Sequence, residues 1–161
     1  MTNNDILRRV RYIFDLNDKK MMKIFELANT PTQRSTISAW LKQDDAEGYA
    51  SCPDVQLATF LNGFIVFQRG PSEQGIPAPE TKLTNNIIFR KLKIALQLDS
   101  DQVLALMELA DFRLGKSELS AFFRKPGHKH YRDCKDQILR NFLQGLQQKQ
   151  RPNNFTEHHS E

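Results

Sequence analysis

Apolar residues along this chain recur at three- and four-residue spacing, which is the periodicity of one buried helix face. Ile6, Val10, Ile13 and Phe14 form the first such stripe. Asn3-Asn4 stands before it as an N-cap pair. A second helix is expected after the capping residue Asp18, burying Met22, Phe25 and Leu27. A third, shorter helix centres on Ile37-Ser38-Ala39-Trp40-Leu41, with Thr30-Pro31 placed to open it. The fourth carries Leu57, Phe60, Leu61 and Phe64 after Ser51-Cys52-Pro53-Asp54, a cap followed by an early-turn acid that suits the positive end of a helix dipole. No segment alternates apolar and polar residues in the manner of a strand.

The same four stripes then appear again. Displaced by 82 positions, residues 2–69 fall on residues 84–151 without a gap, and 21 of the 68 aligned pairs, counted from the sequence, are identical. Asn3-Asn4 meets Asn85-Asn86. Ile6, Val10, Ile13 and Phe14 meet Ile88, Leu92, Ala95 and Leu96. Asp18 meets Ser100, and Leu104, Met107 and Leu109 take the second-helix core positions. Tyr49, Cys52, Asp54, Phe60 and Gly63 meet Tyr131, Cys134, Asp136, Phe142 and Gly145. The expected fold class is all-α, two tandem copies of a four-helix unit packed with pseudo-two-fold symmetry. The units are 1–69 and 84–151, joined by a Pro/Gly linker over 70–83 and followed by a flexible tail over 152–161. Copy one extends its fourth helix as Ile65-Val66-Phe67 and copy two as Gln147-Gln148-Lys149. The first extension is expected to be buried between the units and the second to meet solvent. Side chains present in both copies should build the frame, and those present in one copy only are free to be special.

Composition narrows the classes. No apolar run approaches the roughly 18 residues of a membrane span, and the start of the chain has no basic-then-apolar secretory pattern. Two cysteines and no such pattern lead to the expectation of a reduced, cytoplasmic protein. The formal charge of +4 is uneven: ten Lys/Arg and ten Asp/Glu lie in residues 1–83, thirteen and nine in residues 84–161. An anionic partner, nucleic acid or an acidic protein, is compatible with that surplus.

Asn4-Asp5-Ile6-Leu7-Arg8, Val10-Arg11-Tyr12-Ile13, Cys52-Pro53-Asp54, Phe60-Leu61-Asn62-Gly63, Asn85-Asn86-Ile87, Cys134, Asp136-Gln137 and Leu139-Arg140 resemble the YehS-like family of small bacterial proteins, a family of unknown function. The likeness covers nearly the whole chain and extends to the tandem arrangement. It implies a small two-repeat helical protein and supplies no activity, cofactor or site residue. Lys135 stands where the family pattern expects Gly.

Five constellations carry candidate chemistry. Arg8-Arg9-Arg11 and Arg90-Lys91-Lys93 place basic triplets on both first helices, either as phosphate-tracking faces or as ordinary solvated ones. The loops before the fourth helices have opposite charge. Gln43 to Ser51 holds Asp44, Asp45 and Glu47, whereas Lys125 to Asp133 holds Lys125, His128, Lys129, His130 and Arg132. The two loops could meet each other, within a chain or between chains, or the basic one, with Arg124, Lys116 and Arg113, could hold an anion. His128-x-His130 with Cys134 and Asp136 offers zinc-type ligands, but Ala46 and Gly48 replace the histidines in copy one, and no metal is expected. Cys52 and Cys134 at helix starts read as activated thiols or, preferably, as buried small residues. The second and third helices also outline a helix-turn-helix, with Gln33 to Thr36 opening a reading helix.

No phosphate-cradling glycine loop, paired-histidine helix or nucleophile elbow is present, so no enzyme and no cofactor are expected. The favoured reading is a binding or adaptor protein. It holds an anionic partner through Arg124, Lys125, His128, Lys129, His130 and Arg132, with Arg90, Lys91 and Lys93. The alternative is a self-assembling protein joined through its unlike loops into a homo-oligomer.

Overall fold

A computed structural model of the chain describes residues 1–152. The tail assignment beyond Pro152, with His158 and His159, lies outside the described residues. Eight helices and no strand occur among the described residues. They are α1 (Asn3–Ile13), α2 (Asp18–Leu27), α3 (Arg34–Leu41), α4 (Asp54–Arg69), α5 (Asn85–Ala95), α6 (Ser100–Leu109), α7 (Lys116–Phe122) and α8 (Asp136–Gln150). They divide into two compact units, Met1–Leu83 with Ile94–Leu96, and Thr84–Lys93 with Gln97–Glu161. The four-helix repeat therefore stands. The 70–83 segment, expected as a linker, belongs to the first unit. Pro77 O accepts from Asn62 Nδ2 at 3.3 Å, and the Leu83 N–H donates to Asp54 Oδ2 at 2.9 Å.

Within unit 1, α2 packs on α4, and α1 packs on α3 and α4. In unit 2, α6 packs on α8 and α7. The second and fourth helices of each unit meet at a glycine. A Cβ on Gly63 would collide with the Ile24 carbonyl, and one on Gly145 with the Leu106 carbonyl. Both glycines thus let two backbones touch, a steric demand independent of backbone freedom.

The cores are aromatic, and their rings have changed helix between copies. In unit 1, Phe25 of α2 lies 5.6 Å from Phe60 and 5.9 Å from Trp40, centroid to centroid. In unit 2, Phe89 of α5 lies 4.6 Å from Phe142 and 6.5 Å from Phe122, the counterparts of those two rings. Phe25 corresponds to Met107, and Phe89 to Leu7. All four are fully buried. One large ring is kept at the centre of each unit, from a different helix.

Several expected boundaries move by one residue. Thr2, not Asn3-Asn4, caps α1, in a capping box with Asp5. Asn17 and Asp99, not Asp18 and Ser100, cap α2 and α6. Gln33 opens α3, leaving Thr30-Pro31 in the preceding turn. The second helices bury Met21, Ile24 and Phe25, and Val103, Leu106 and Met107. Met22, Leu27 and Leu104 are half-buried, and Leu109 is 45% exposed. Ile65, Val66 and Phe67 are half-buried instead of enclosed. The first two helices of unit 1 end in complete Schellman motifs closed by Asp15 and Asn29, both at positive φ without glycine.

Candidate anion-binding cleft

The duplicated Asn-Asn pair, freed from capping, organises the loop before each fourth helix. Asn86 Nδ2 donates to Phe122 O at 3.0 Å and to Arg132 O at 2.8 Å, and its Oδ1 accepts the Cys134 N–H at 2.9 Å. Asn85 Nδ2 donates to Cys134 O at 3.0 Å and to Asp136 Oδ1 at 2.7 Å. Asn4 and Asn3 repeat all five bonds, to Trp40, Ala50, Cys52 and Asp54. Both loops also share their turn hydrogen bonds. His128 N–H to Lys125 O, Tyr131 N–H to His128 O and Arg132 N–H to Ala121 O match Ala46 to Gln43, Tyr49 to Ala46 and Ala50 to Ala39. One scaffold therefore presents two loops of opposite charge.

In unit 2 this scaffold frames a cleft of about 710 Å³ between α7, the loop and the start of α8. Phe122, Ala121 and Ile138 supply apolar wall; Arg124, His130, Arg132 and Lys135 supply the basic rim. Two acids, Glu118 and Asp133, also line it, and each is engaged locally. Glu118 Oε1 accepts the Gly115 N–H at 3.2 Å in the α7 cap. Asp133 lies beside Tyr131, whose titration is pushed up by burial first and then by that carboxylate. Arg124, Lys125, His128, Lys129, His130 and Arg132 are all exposed. Of these, Arg124, His130 and Arg132 reach the cleft, and Lys125, His128 and Lys129 stand on the loop outside its lining. Lys135 was missed as a site residue. Its signal was the Pro53 in the equivalent position.

The first-helix triplets do not form open basic faces. Lys91 is buried, with 8% exposure. Lys93 is half-buried with its Nζ 4.9 Å from the Phe123 ring centroid, a cation–π contact, and Arg90 alone is exposed. In unit 1, Arg8 donates to Lys42 O at 2.7 Å and Arg11 Nε to Leu16 O at 2.9 Å. Burial lowers the Arg9 pKa, with Asp5 opposing the shift. Arg8 and Arg11 tie helix to loop, and the burial of Lys91 and the ring contact of Lys93 withdraw those two from the anion site.

The remaining constellations divide. Gln33 to Thr36 is exposed at the start of α3, but Arg34 is held to Asp18 at 2.8 Å. Among the described residues no group of three or more His, Cys, Asp or Glu could hold a metal ion. His128 Nδ1 accepts the backbone N–H of His130 at 3.0 Å, and Cys134 is buried. Burial, reinforced by Asp54 and Asp136 respectively, pushes the Cys52 and Cys134 thiols up to about 12, so they are core residues and not nucleophiles. No described helix is long and apolar enough to cross a membrane.

Fold and cleft together define a two-repeat, all-α protein with a charged cleft on one repeat. The chain belongs to the family described as "Protein of unknown function (DUF1456)", whose model matches residues 3–70 and again residues 85–151. It is 43% identical over 152 residues to "Uncharacterized protein YehS" of Escherichia coli (strain K12), covering 93% of this chain and 97% of that protein. No solved structure matches.

Proposed function

We propose that this is a non-enzymatic binding protein that holds an anionic partner in the α7–loop–α8 cleft of its second unit, nucleic acid being the first candidate. One observation carries the reading: three of the four rim bases are specific to one copy on a scaffold common to both. Where unit 2 has His130, Arg132 and Lys135, unit 1 has Gly48, Ala50 and Pro53. The asparagine clamp fixes the backbone at Arg132 and Cys134, so the cations are presented from a pre-ordered loop. Guanidinium groups suit phosphate and carboxylate oxygens through paired N–H donors.

The test is fluorescence anisotropy of a labelled single-stranded oligonucleotide across a salt series, beside a labelled acidic peptide. Binding should weaken steeply with salt, and removing Arg132 and Lys135 should reduce the salt slope by about one for each lost phosphate contact. Absence of binding to either probe at low salt would overturn the reading. Tight binding of the peptide alone would replace nucleic acid with an acidic protein.

A further inference from the structure

We propose that the groove between α2 and the end of α4 docks the α6 face of a second copy of this chain. The groove is about 430 Å³, with Met22 and Phe67 as its apolar floor and Lys19, Lys20, Lys23 and Glu26 on its rim. Met22 and Phe67 are half-buried and the three lysines exposed. None of the three ammonium groups forms an ion pair among the described residues. An aromatic side chain left half in water amid three unpaired cations is a surface that gains by being covered. It is also peculiar to unit 1: Lys19, Lys20, Lys23 and Phe67 correspond to Asp101, Gln102, Ala105 and Lys149.

The occupant is indicated by the equivalent helix. On α2, Lys19, Met22, Lys23 and Glu26 stand at i, i+3, i+4 and i+7, one side of the helix. On α6 the same positions hold Asp101, Leu104, Ala105 and Glu108. Asp101 and Glu108 are exposed, Leu104 is half-buried, and the neighbouring Leu109 is 45% exposed. Asp101 has a partner in Lys116 at 3.6 Å, but both side chains are mostly in water (81% and 69% exposed), and such a pair exchanges at little cost. One face is thus an apolar centre among cations, the other an apolar centre among carboxylates. The contact joins unlike surfaces, so a chain that loses one still offers the other. It is separate from the loops over 43–51 and 125–133.

Sedimentation velocity tests this at about 20 mM ionic strength, where surface charges act over roughly 20 Å or more. The average mass should rise with protein concentration and return to that of a monomer in high salt. A K19E/K20E/K23E variant should stay monomeric, and so should a D101K/E108K variant. Mixed in equal amounts, the two should associate, because each keeps the surface the other lacks and the reversed groove and face are again of opposite charge. A D44K/D45K/E47K variant should associate like the unaltered chain. The proposal is overturned by a monomer at every concentration, by association in either groove or face variant alone, or by a mixture that stays monomeric. Association lost in the loop variant would overturn it too, moving the contact to the loops. Far-ultraviolet circular dichroism confirms that the variants remain helical, and the mixing result is independent of any single variant's failure.

Discussion

Asn4 and Cys52 are joined across 48 residues of chain by a hydrogen bond from the Cys52 N–H to Asn4 Oδ1 at 3.1 Å, and Asn86 and Cys134 repeat it at 2.9 Å. Each asparagine amide also donates to two carbonyls, one ending the third helix and one ending the loop. Both of its N–H donors and its oxygen are engaged by backbone, in a place with little water (2% and 7% exposure). Truncation would orphan one N–H and two carbonyls.

Asn86→Ala should therefore destabilise unit 2 by about 3 kcal/mol, since each stranded buried group costs about 1–3 kcal/mol. Asn86→Asp should be nearly as harmful, because a carboxylate accepts from Cys134 but cannot donate to Phe122 and Arg132. Urea unfolding followed by circular dichroism measures both. An Asn86→Ala protein as stable as the parent would refute the clamp.

The exchanged core rings make a second prediction. Leu7→Phe alone overfills unit 1, and Phe25→Met alone leaves space; each should cost about 1–3 kcal/mol. The double variant reproduces the pairing that unit 2 already uses, Phe89 with Met107. It should be at least about 1 kcal/mol more stable than the two single losses summed. Equilibrium denaturation of the four proteins gives the coupling directly, and strict additivity would contradict a shared central ring site.

The thiols give a pH dependence with a definite sign. Burial holds both at about 12 in the folded chain, against an ordinary 9.0. A group with a raised folded pKa contributes fully below its unfolded value and loses that contribution as pH climbs toward the folded one. Stability should therefore decline between about pH 9 and 12, and a C52A/C134A variant should show a shallower decline. A disulfide-exchange reagent at pH 8 should leave both thiols unmodified in the native protein and titrate both in denaturant. Rapid native labelling would reverse the assignment.

The helices were legible because two copies of each stripe could be compared, and chance apolar residues rarely coincide twice. The error on α2 was avoidable. Met21, Ile24, Phe25 and Ala28 satisfy i, i+3, i+4 and i+7, whereas the same spacing begun at Met22 runs into Glu26 and Asn29. The asparagines were misread for a different reason. Asn beside a helix start has a strong local meaning as a cap, and only the tertiary fold reveals that Thr2 takes that role and releases Asn4 to bind backbone 36 to 48 residues away. Lys91 and Lys93 looked equivalent to Arg90 because helical charge runs do not reveal which stems lie inward. In the cleft, Arg124, His130 and Arg132 were readable as bases peculiar to, or strengthened in, copy two. Lys135 obeyed the same rule and was passed over as part of a helix start.

The most direct test of the division between shared frame and copy-specific site is a graft. Residues 125–133 are replaced by the sequence of residues 43–51, which makes the matching backbone hydrogen bonds on the same clamp. Unfolding free energy and oligonucleotide anisotropy are then measured on one preparation. Stability should stay within about 1 kcal/mol of the parent, while low-salt affinity should fall at least about tenfold. A graft that unfolds, or one that binds as tightly as the parent, would contradict the account.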